Sequence, residues 1–471
     1  MDKLSLSKCQ PIEIDADNPF KNDAMGREYY ITILTQFIIS FEQSIVLCID
    51  GGWGQGKTTF IKMWQQYLKN QHIPTIYFNA WENDYTDDAL IALIGEISLS
   101  IKKLKQLDKS KVDETFESIY KYAANFAKAV APSAANLSIK AISGGLTNAD
   151  EFSKTLSALG ESMVKEQIKK YEESRRTLSK FKEELSKLAQ CYTGGDKQKP
   201  LVIFIDELDR CRPDFAIEVL EKAKHLFNVD NIIFVLATDK TQLSHSIRAV
   251  YGQGLDVNGY LRRFIDFDYL LPRSSIQPYI IRLIRKFSLE EYFLNKGKRL
   301  TNPKNFLVDI VNKYNVTLRE QEVFFNIFNI VIRTDATINL EHWSNIIMLI
   351  FLIILKLKSL NIYKNLGFGD TRGFYDTLKD IQSHCTPIDD GCNNYLELLE
   401  FLFLEIFGSF QQTPFQIEQV IEKYAYMFNF NESKKTRLIL LEYEYGDPCI
   451  NLQSVLGIKE SIEISYSFKF N

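Results

Sequence analysis

An apolar run, Ser44–Asp50 (SIVLCID), opens directly onto Gly51-Gly52-Trp53-Gly54-Gln55-Gly56-Lys57-Thr58, and a helical pattern, FIKMWQQYLKN, follows. The eight residues fit G-x-x-x-x-G-K-[ST] in the strand, loop and helix context that this pattern requires. Glycines there let successive backbone N–H groups turn inward around phosphates, at the positive end of the next helix. Lys57 then reaches the β and γ phosphates. The Thr58 hydroxyl faces Mg²⁺, which takes hard oxygen ligands. Gly51–Thr58, with Thr59 behind it, is therefore the candidate ATP-binding loop of the Walker-A type.

The rest of the first half repeats the strand and helix alternation. TIYFNAW (75–81) precedes Thr86, an expected N-cap, and the amphipathic ALIALIGEISLSIKKLKQL. LVIFIDEL (201–208) precedes a helix expected from Pro213 to Phe227, and NIIFVLATD (231–239) one from Lys240 to Val250. IDFDYLL (265–271) closes the series. Strands alternating with helices predict an α/β fold, a parallel sheet covered on both faces.

This pattern is interrupted over 106–199 by a helical insertion. Residues 123–149 are small and weakly apolar, broken by Pro132, Gly144 and Gly145, and make no membrane helix. In 165–188, Ile168, Tyr171, Leu178, Phe181, Leu185 and Leu188 recur three, four or seven apart between charges. Two readings of this arm stand: a helix packed on its own domain, or a coiled-coil contact with another subunit. From Arg273 to about Leu456 the chain reads as helical, and SIEISYSFKF at the end alternates as an edge strand would. The expected organisation is a nucleotide-binding core over 12–105 and 200–272, the 106–199 insertion, a helical lid over 273–335, and a mostly helical C-terminal domain over 336–471.

With 471 residues, 45% hydrophobic and 25% charged, the chain can bury a full core and fill two or three domains. A net charge of −4 argues against a broad nucleic-acid-binding face and leaves a local basic groove open. Seven cysteines without a CxxC pair suit reduced thiols in a cytosol, and His384, Cys385 and Cys392 read as an incidental grouping, not a metal site. MDKLSLSKCQ lacks the apolar core of a secretory signal. The longest apolar run, Ile346–Leu355, is about half of the ~20 residues a bilayer span needs and reads as a buried helix. The expected location is the cytoplasm, with a peripheral contact at the inner membrane face left open.

In LVIFIDELDR, Asp206 stands at the carboxyl end of a buried strand, where a Walker-B acid holds Mg²⁺. Glu207 is then placed to orient and polarise the water that attacks the γ phosphate. Thr238 ends a neighbouring strand, where a sensor residue would meet that phosphate. The cationic candidates for the transferring phosphoryl group are Arg210, Arg262, Arg263 and Arg319. Arg210 has a structural alternative in pairing with Asp209 or Asp214, and Arg262 and Arg263 in lying on a solvated helix face.

GGWGQGKTTF, FNAWEND (78–84), FIDELDRCRP (204–213), FVLATD and GYLRRFIDF together resemble the KAP family of P-loop NTPases, and NPFKNDAMGREYY (18–30) is similar to the segment that opens its domain. The resemblance covers roughly 12–335. It implies an additional-strand sheet, with the sensor strand between the loop strand and the Walker-B strand, and a helical lid containing Arg319 as a nucleotide sensor. Many bacterial members carry transmembrane helices between the two Walker motifs, and some act in phage exclusion. This sequence lacks a spanning stretch there, so it resembles a variant without integral membrane attachment. The functional expectation is an Mg²⁺-dependent ATPase switch in anti-phage defence, acting on a partner protein or as a homo-oligomer through the 106–199 arm or the C-terminal domain. The alternative is a nucleotide-stabilised scaffold or peripheral membrane-associated protein with little turnover. A metabolite kinase lacks its acceptor base here, and a DNA motor lacks further helicase motifs, although DNA as a trigger stays open.

Overall fold

The computed structural model describes residues 12–104, 179–187, 199–223, 229–272, 275–294, 301–334, 340–366, 394–410 and 452–467, a few positions within and between these spans apart. The elements of the first half are α1 (Glu28–Ile39), β1 (Ile45–Asp50), α2 (Lys57–Asn70), β2 (Thr75–Asn79), α3 (Ala89–Leu104), β3 (Leu201–Asp206), α4 (Pro213–Ala223), β4 (Ile232–Thr238), α5 (Lys240–Tyr251), α6 (Val257–Leu261) and β5 (Phe267–Leu270). All five strands are parallel, in the order β2-β3-β4-β1-β5. This is the α/β P-loop arrangement, with β4 between the loop strand β1 and the acid strand β3.

The central strands are near-continuous apolar runs because alternate side chains enter opposite cores. On β3, Leu201, Ile203 and Ile205 join one cluster with Leu93 and Ile97 of α3 and with Phe215 and Leu220 of α4. Val202 and Phe204 face the other, which holds Ile31, Leu34 and Ile38 of α1 and Phe60, Ile61 and Trp64 of α2. Trp64 is fully buried, and its indole N–H donates to Thr35 Oγ1 at 2.9 Å, which fastens α2 to α1.

Residues 179–187 are helical, with Phe181 and Leu185 buried in the first of these clusters. For these residues of the arm, the packing is on their own domain. The remainder of the 106–199 insertion, a few positions apart, lies outside the described residues, as do His384, Cys385 and Cys392 and the predicted end of α4 past Ala223.

The chain divides into two compact units, one of 12–23 and 27–272, the other gathering 24–26 and the described residues from 275 onward. The second holds α7 (Gln277–Lys286), α8 (Glu290–Phe293), α9 (Pro303–Lys313), α10 (Leu318–Thr334), α11 (Trp343–Lys358), α12 (Leu360–Asn365), α13 (Asn394–Phe410) and α14 (Leu452–Ser467) around one apolar core. In α11 every residue from Ser344 to Leu355 is buried. Among the described residues no helix is long and apolar enough to cross a membrane.

One local expectation is corrected. Residues 461–467 of the edge strand expected over SIEISYSFKF are the end of α14, and the rest lies outside the described residues. Val455, Ile458, Ile462 and Ser465 are buried at helical spacing, against α10, α11 and α13, while Ile464 is 49% exposed. The alternation in SIEIS was an accident of a short window, and helix packing decides. Thr86, the expected N-cap, stands three residues before Ala89, and positions 87 and 88 between them lie outside the described residues. The Thr86 hydroxyl donates to the Asn83 carbonyl at 3.0 Å, in a turn that starts where Asn79 Oδ1 accepts the N–H groups of Trp81 and Glu82.

Candidate active site

Strand register lines up the chemistry. Asn79 at the end of β2 is paired with Asp206 on β3, Asp206 with Ala237 on β4, and Thr238 with Asp50 on β1. The carboxyl ends of parallel strands are where open α/β sheets bind ligands.

From Asp50 the chain leaves β1 into the glycine-rich turn. Gly51 N–H still donates to the Thr238 carbonyl at 3.3 Å. Gln55 closes the turn on itself: its N–H donates to the Gly52 carbonyl and its Oε1 accepts from Gly52 N–H at 3.0 Å. Gly54 and Gly56 have φ of +74° and +81°, a region that glycine enters without the Cβ penalty, and Gly56 caps the start of α2. Lys57, the first residue of α2, is 9% exposed, and its ammonium donates to the carbonyls of Gly51 at 2.5 Å and Gly52 at 3.4 Å. Trp53 is half exposed, while Thr58 and Thr59 are half-buried in the first helical turn.

Asp206 is 1% exposed. Its carboxylate accepts from the Thr58 hydroxyl, from Tyr77 Oη at 3.0 Å and from Glu207 N–H at 2.8 Å. Burial nevertheless holds the carboxyl above the ordinary carboxylate value, because these neutral donors do not fully replace water. Burial and the adjacent Asp206 likewise push the Tyr77 phenol up, which keeps it a neutral donor. A buried acid beside a threonine hydroxyl is a set of hard oxygen donors, and it fits Mg²⁺. No group of three or more His, Cys, Asp or Glu side chains that could hold a metal occurs among the described residues.

Glu207 follows with backbone at φ +61°, a left-handed conformation uncommon for this residue type. It lets the chain turn sharply off β3 into the 3-10 turn Leu208–Arg210. The Glu207 carboxylate is held on both sides, by Asn79 Nδ2 at 3.1 Å and by Arg210 Nη1 at 2.7 Å. Arg210 therefore pairs with Glu207, rather than with Asp209 or Asp214 as the sequence alternative had it. Its guanidinium also lies 5.8 Å from the centre of the exposed Trp81 ring.

Thr238 is fully buried, and its hydroxyl donates to Asp209 Oδ1 at 3.2 Å. Asp209 Oδ2 accepts the Trp53 indole N–H. A single buried carboxylate thus ties the end of β4 to the glycine-rich loop. Asp239 is a helix cap, accepting from the N–H groups of Thr241 and Gln242.

Sequence reading passed over Asn79, Asp209, Tyr77 and Arg27 as site residues. Arg27 is 6% exposed and donates to the carbonyls of Gln55 and Gly56 at 2.8 and 2.9 Å. The motifs FNAWEND, IDELDR and GREYY carried three of these residues, but no spacing rule gave them a partner. Arg262 and Arg263 are exposed after α6. Arg319 is exposed at the start of α10, in the second unit.

A model of the KAP family P-loop domain matches residues 27–334, more than half of the chain. A comparison with curated proteins gives no match.

Proposed function

The chain belongs to the KAP family of P-loop NTPases, and from that premise we propose that it binds ATP at Gly51–Thr59 and hydrolyses it with Mg²⁺ through Glu207. The observation that carries this reading is the junction of loop and acid strand, where the Thr58 hydroxyl bonds the buried Asp206 and Glu207 stands next to it. In the bound state Lys57 gives its ammonium to phosphate oxygens in place of the Gly51 and Gly52 carbonyls. Thr58 and Asp206 would hold Mg²⁺, which neutralises charge on the phosphate oxygens. Glu207 orients the attacking water and accepts its proton, as that oxygen bonds the γ-phosphorus and the bridging oxygen leaves with ADP. Thr238, backed by Asp209, senses the γ phosphate, and Arg210 is the nearby cation for the developing charge.

On this reading turnover switches the helical lid (273–335, including Arg319) and the 106–199 arm, controlling a homo-oligomer or a partner protein in antiviral defence. A second reading, a nucleotide-stabilised scaffold with little turnover, draws on one observation: Glu207 is already engaged by both Asn79 and Arg210. Thermal unfolding with Mg²⁺ and either ATP or GTP tests the binding claim. Ligand at 100 times Kd is expected to stabilise the protein by about 2.7 kcal/mol, and no shift with either nucleotide would count against it.

Asp206 gives a sharper expectation. Burial raises its folded pKa above the ordinary carboxylate value, so between the two the folded chain holds a proton that the unfolded chain has lost. This contribution makes stability fall as pH rises through that window, and the loss is complete above the raised folded value. Asp206→Asn removes it. Without nucleotide, the variant is expected to be more stable than the parent at neutral pH, read as a higher Tm. It should also lose the Mg²⁺-dependent part of the shift with ATP. A variant less stable than the parent at neutral pH, yet still showing that shift, would contradict this placement of the metal.

A further inference from the structure

We propose that Arg27 is a positioning residue that presets two N–H donors of the nucleotide loop; this rests on the reading of Gly51–Thr58 as a phosphate-binding loop. Its guanidinium straddles two consecutive peptide units, with Nη2 on the Gln55 carbonyl at 2.8 Å and Nη1 on the Gly56 carbonyl at 2.9 Å. A planar trans peptide points its C=O and N–H in opposite directions. Fixing the Gln55 carbonyl therefore aims the Gly56 N–H away from Arg27, and fixing the Gly56 carbonyl aims the Lys57 N–H likewise. These two donors open the helix that receives the phosphates. The positive charge behind the carbonyls also polarises both peptides, which strengthens the N–H groups as donors.

The fit is close. A Cβ on Gly56 would lie 2.7 Å from Arg27 Nη2, so the glycine serves both its own φ of +81° and the approach of the arginine. Arg27 is in turn held by a rigid element. It opens α1, where the Asp23 carboxylate accepts the N–H groups of Arg27 and Glu28. Ile31, Leu34 and Ile38 bury α1 in the sheet core, and Thr35 bonds Trp64 of α2. The loop is thus gripped from outside by the helix that precedes it in the chain. A lysine cannot reproduce the grip, since its ammonium lacks the planar fork that reaches two acceptors in fixed geometry.

The test compares ADP and AMP affinities of the full chain as wild type, Arg27→Gln and Arg27→Lys, with the Tm of each measured without nucleotide. Arg27→Gln is expected to weaken ADP binding about tenfold, and AMP, which lacks the β phosphate, by less than about threefold; Arg27→Lys should fall between wild type and Arg27→Gln for ADP. A general loss of structure would lower both affinities together and would not rank the lysine variant in between. Wild-type ADP affinity in Arg27→Gln overturns the proposal. If that variant does not fold, Arg27→Lys decides: weakened ADP binding supports the role, and unchanged binding overturns it. Absence of ADP binding in the wild type overturns the loop reading itself and this proposal with it, an outcome distinct from a normal wild type with an indifferent Arg27.

Discussion

Lys57→Ala is expected to weaken ATP binding about 100-fold or more and to abolish the nucleotide-induced thermal shift, while the fold persists. Each charge-assisted hydrogen bond to a phosphate is worth about 1.5–3 kcal/mol, and every 1.4 kcal/mol is tenfold in affinity. Lys57 is placed to make two such bonds, because it stands at the first position of α2 with its ammonium folded over the mouth of the loop. The cost to the empty protein is smaller. The variant loses the bonds to the Gly51 and Gly52 carbonyls, and one net hydrogen bond contributes about 1 kcal/mol. Titration calorimetry for affinity and a melting curve without nucleotide separate the two effects. An affinity within about threefold of wild type would place the phosphates elsewhere.

Glu207→Gln should leave ATP affinity within a few fold and lower turnover by about 10²–10⁴. Glutamine keeps the length and can occupy the same left-handed backbone position at φ +61°. Its amide oxygen can still accept from Asn79 or Arg210, but it takes no proton from water. The lost ion pair costs little, because the Arg210 side chain is 41% exposed and pairs of that kind contribute about 1 kcal/mol or less. The variant should therefore hold ATP without consuming it. Equal turnover in variant and wild type would remove Glu207 from the reaction, whatever its distance to the loop.

Much of the nucleotide-binding unit was legible because its signals are local. Each central strand is a short apolar run bounded by a turn, and the glycine-rich loop, residues 51–56, lies directly between β1 and α2. The alternation of strands and helices predicted a parallel sheet, but the strand order, with β4 between β1 and β3, came from the family resemblance and not from any residue pattern. What stayed hidden depends on partners far apart in the chain. Trp53 meets Asp209 across 156 residues, and Asn79 meets Glu207 across 128. Spacing along one chain carries no record of such pairings. Arg27 lies only 28 residues before Gln55, yet its target is backbone carbonyl, which has no sequence signature. The C-terminal correction has the opposite cause. SIEIS presents a genuine local alternation, and the core formed by α10, α11 and α13 overrides it by taking Ile458, Ile462 and Ser465 on one helical face.

The engagement of Glu207 by Asn79 and Arg210 bears on how turnover starts. A carboxylate bonded once on each oxygen keeps further lone pairs, so the attacking water can join Asn79 and Arg210 or replace one of them, and Asn79, at the end of the neighbouring strand β2, is the neutral partner and the more readily displaced. Slow basal hydrolysis that quickens when a partner displaces FNAWEND from this position would fit the switch better than the scaffold.

The most direct measurement is phosphate release from Mg²⁺ and ATP at saturating nucleotide, for the full chain and for Glu207→Gln side by side. Steady release by the wild type is expected, with release at least about 100-fold slower by the variant, both proteins being fully loaded. Release by the variant at the wild-type rate would contradict the assignment of Glu207, and with it the proposed hydrolytic site.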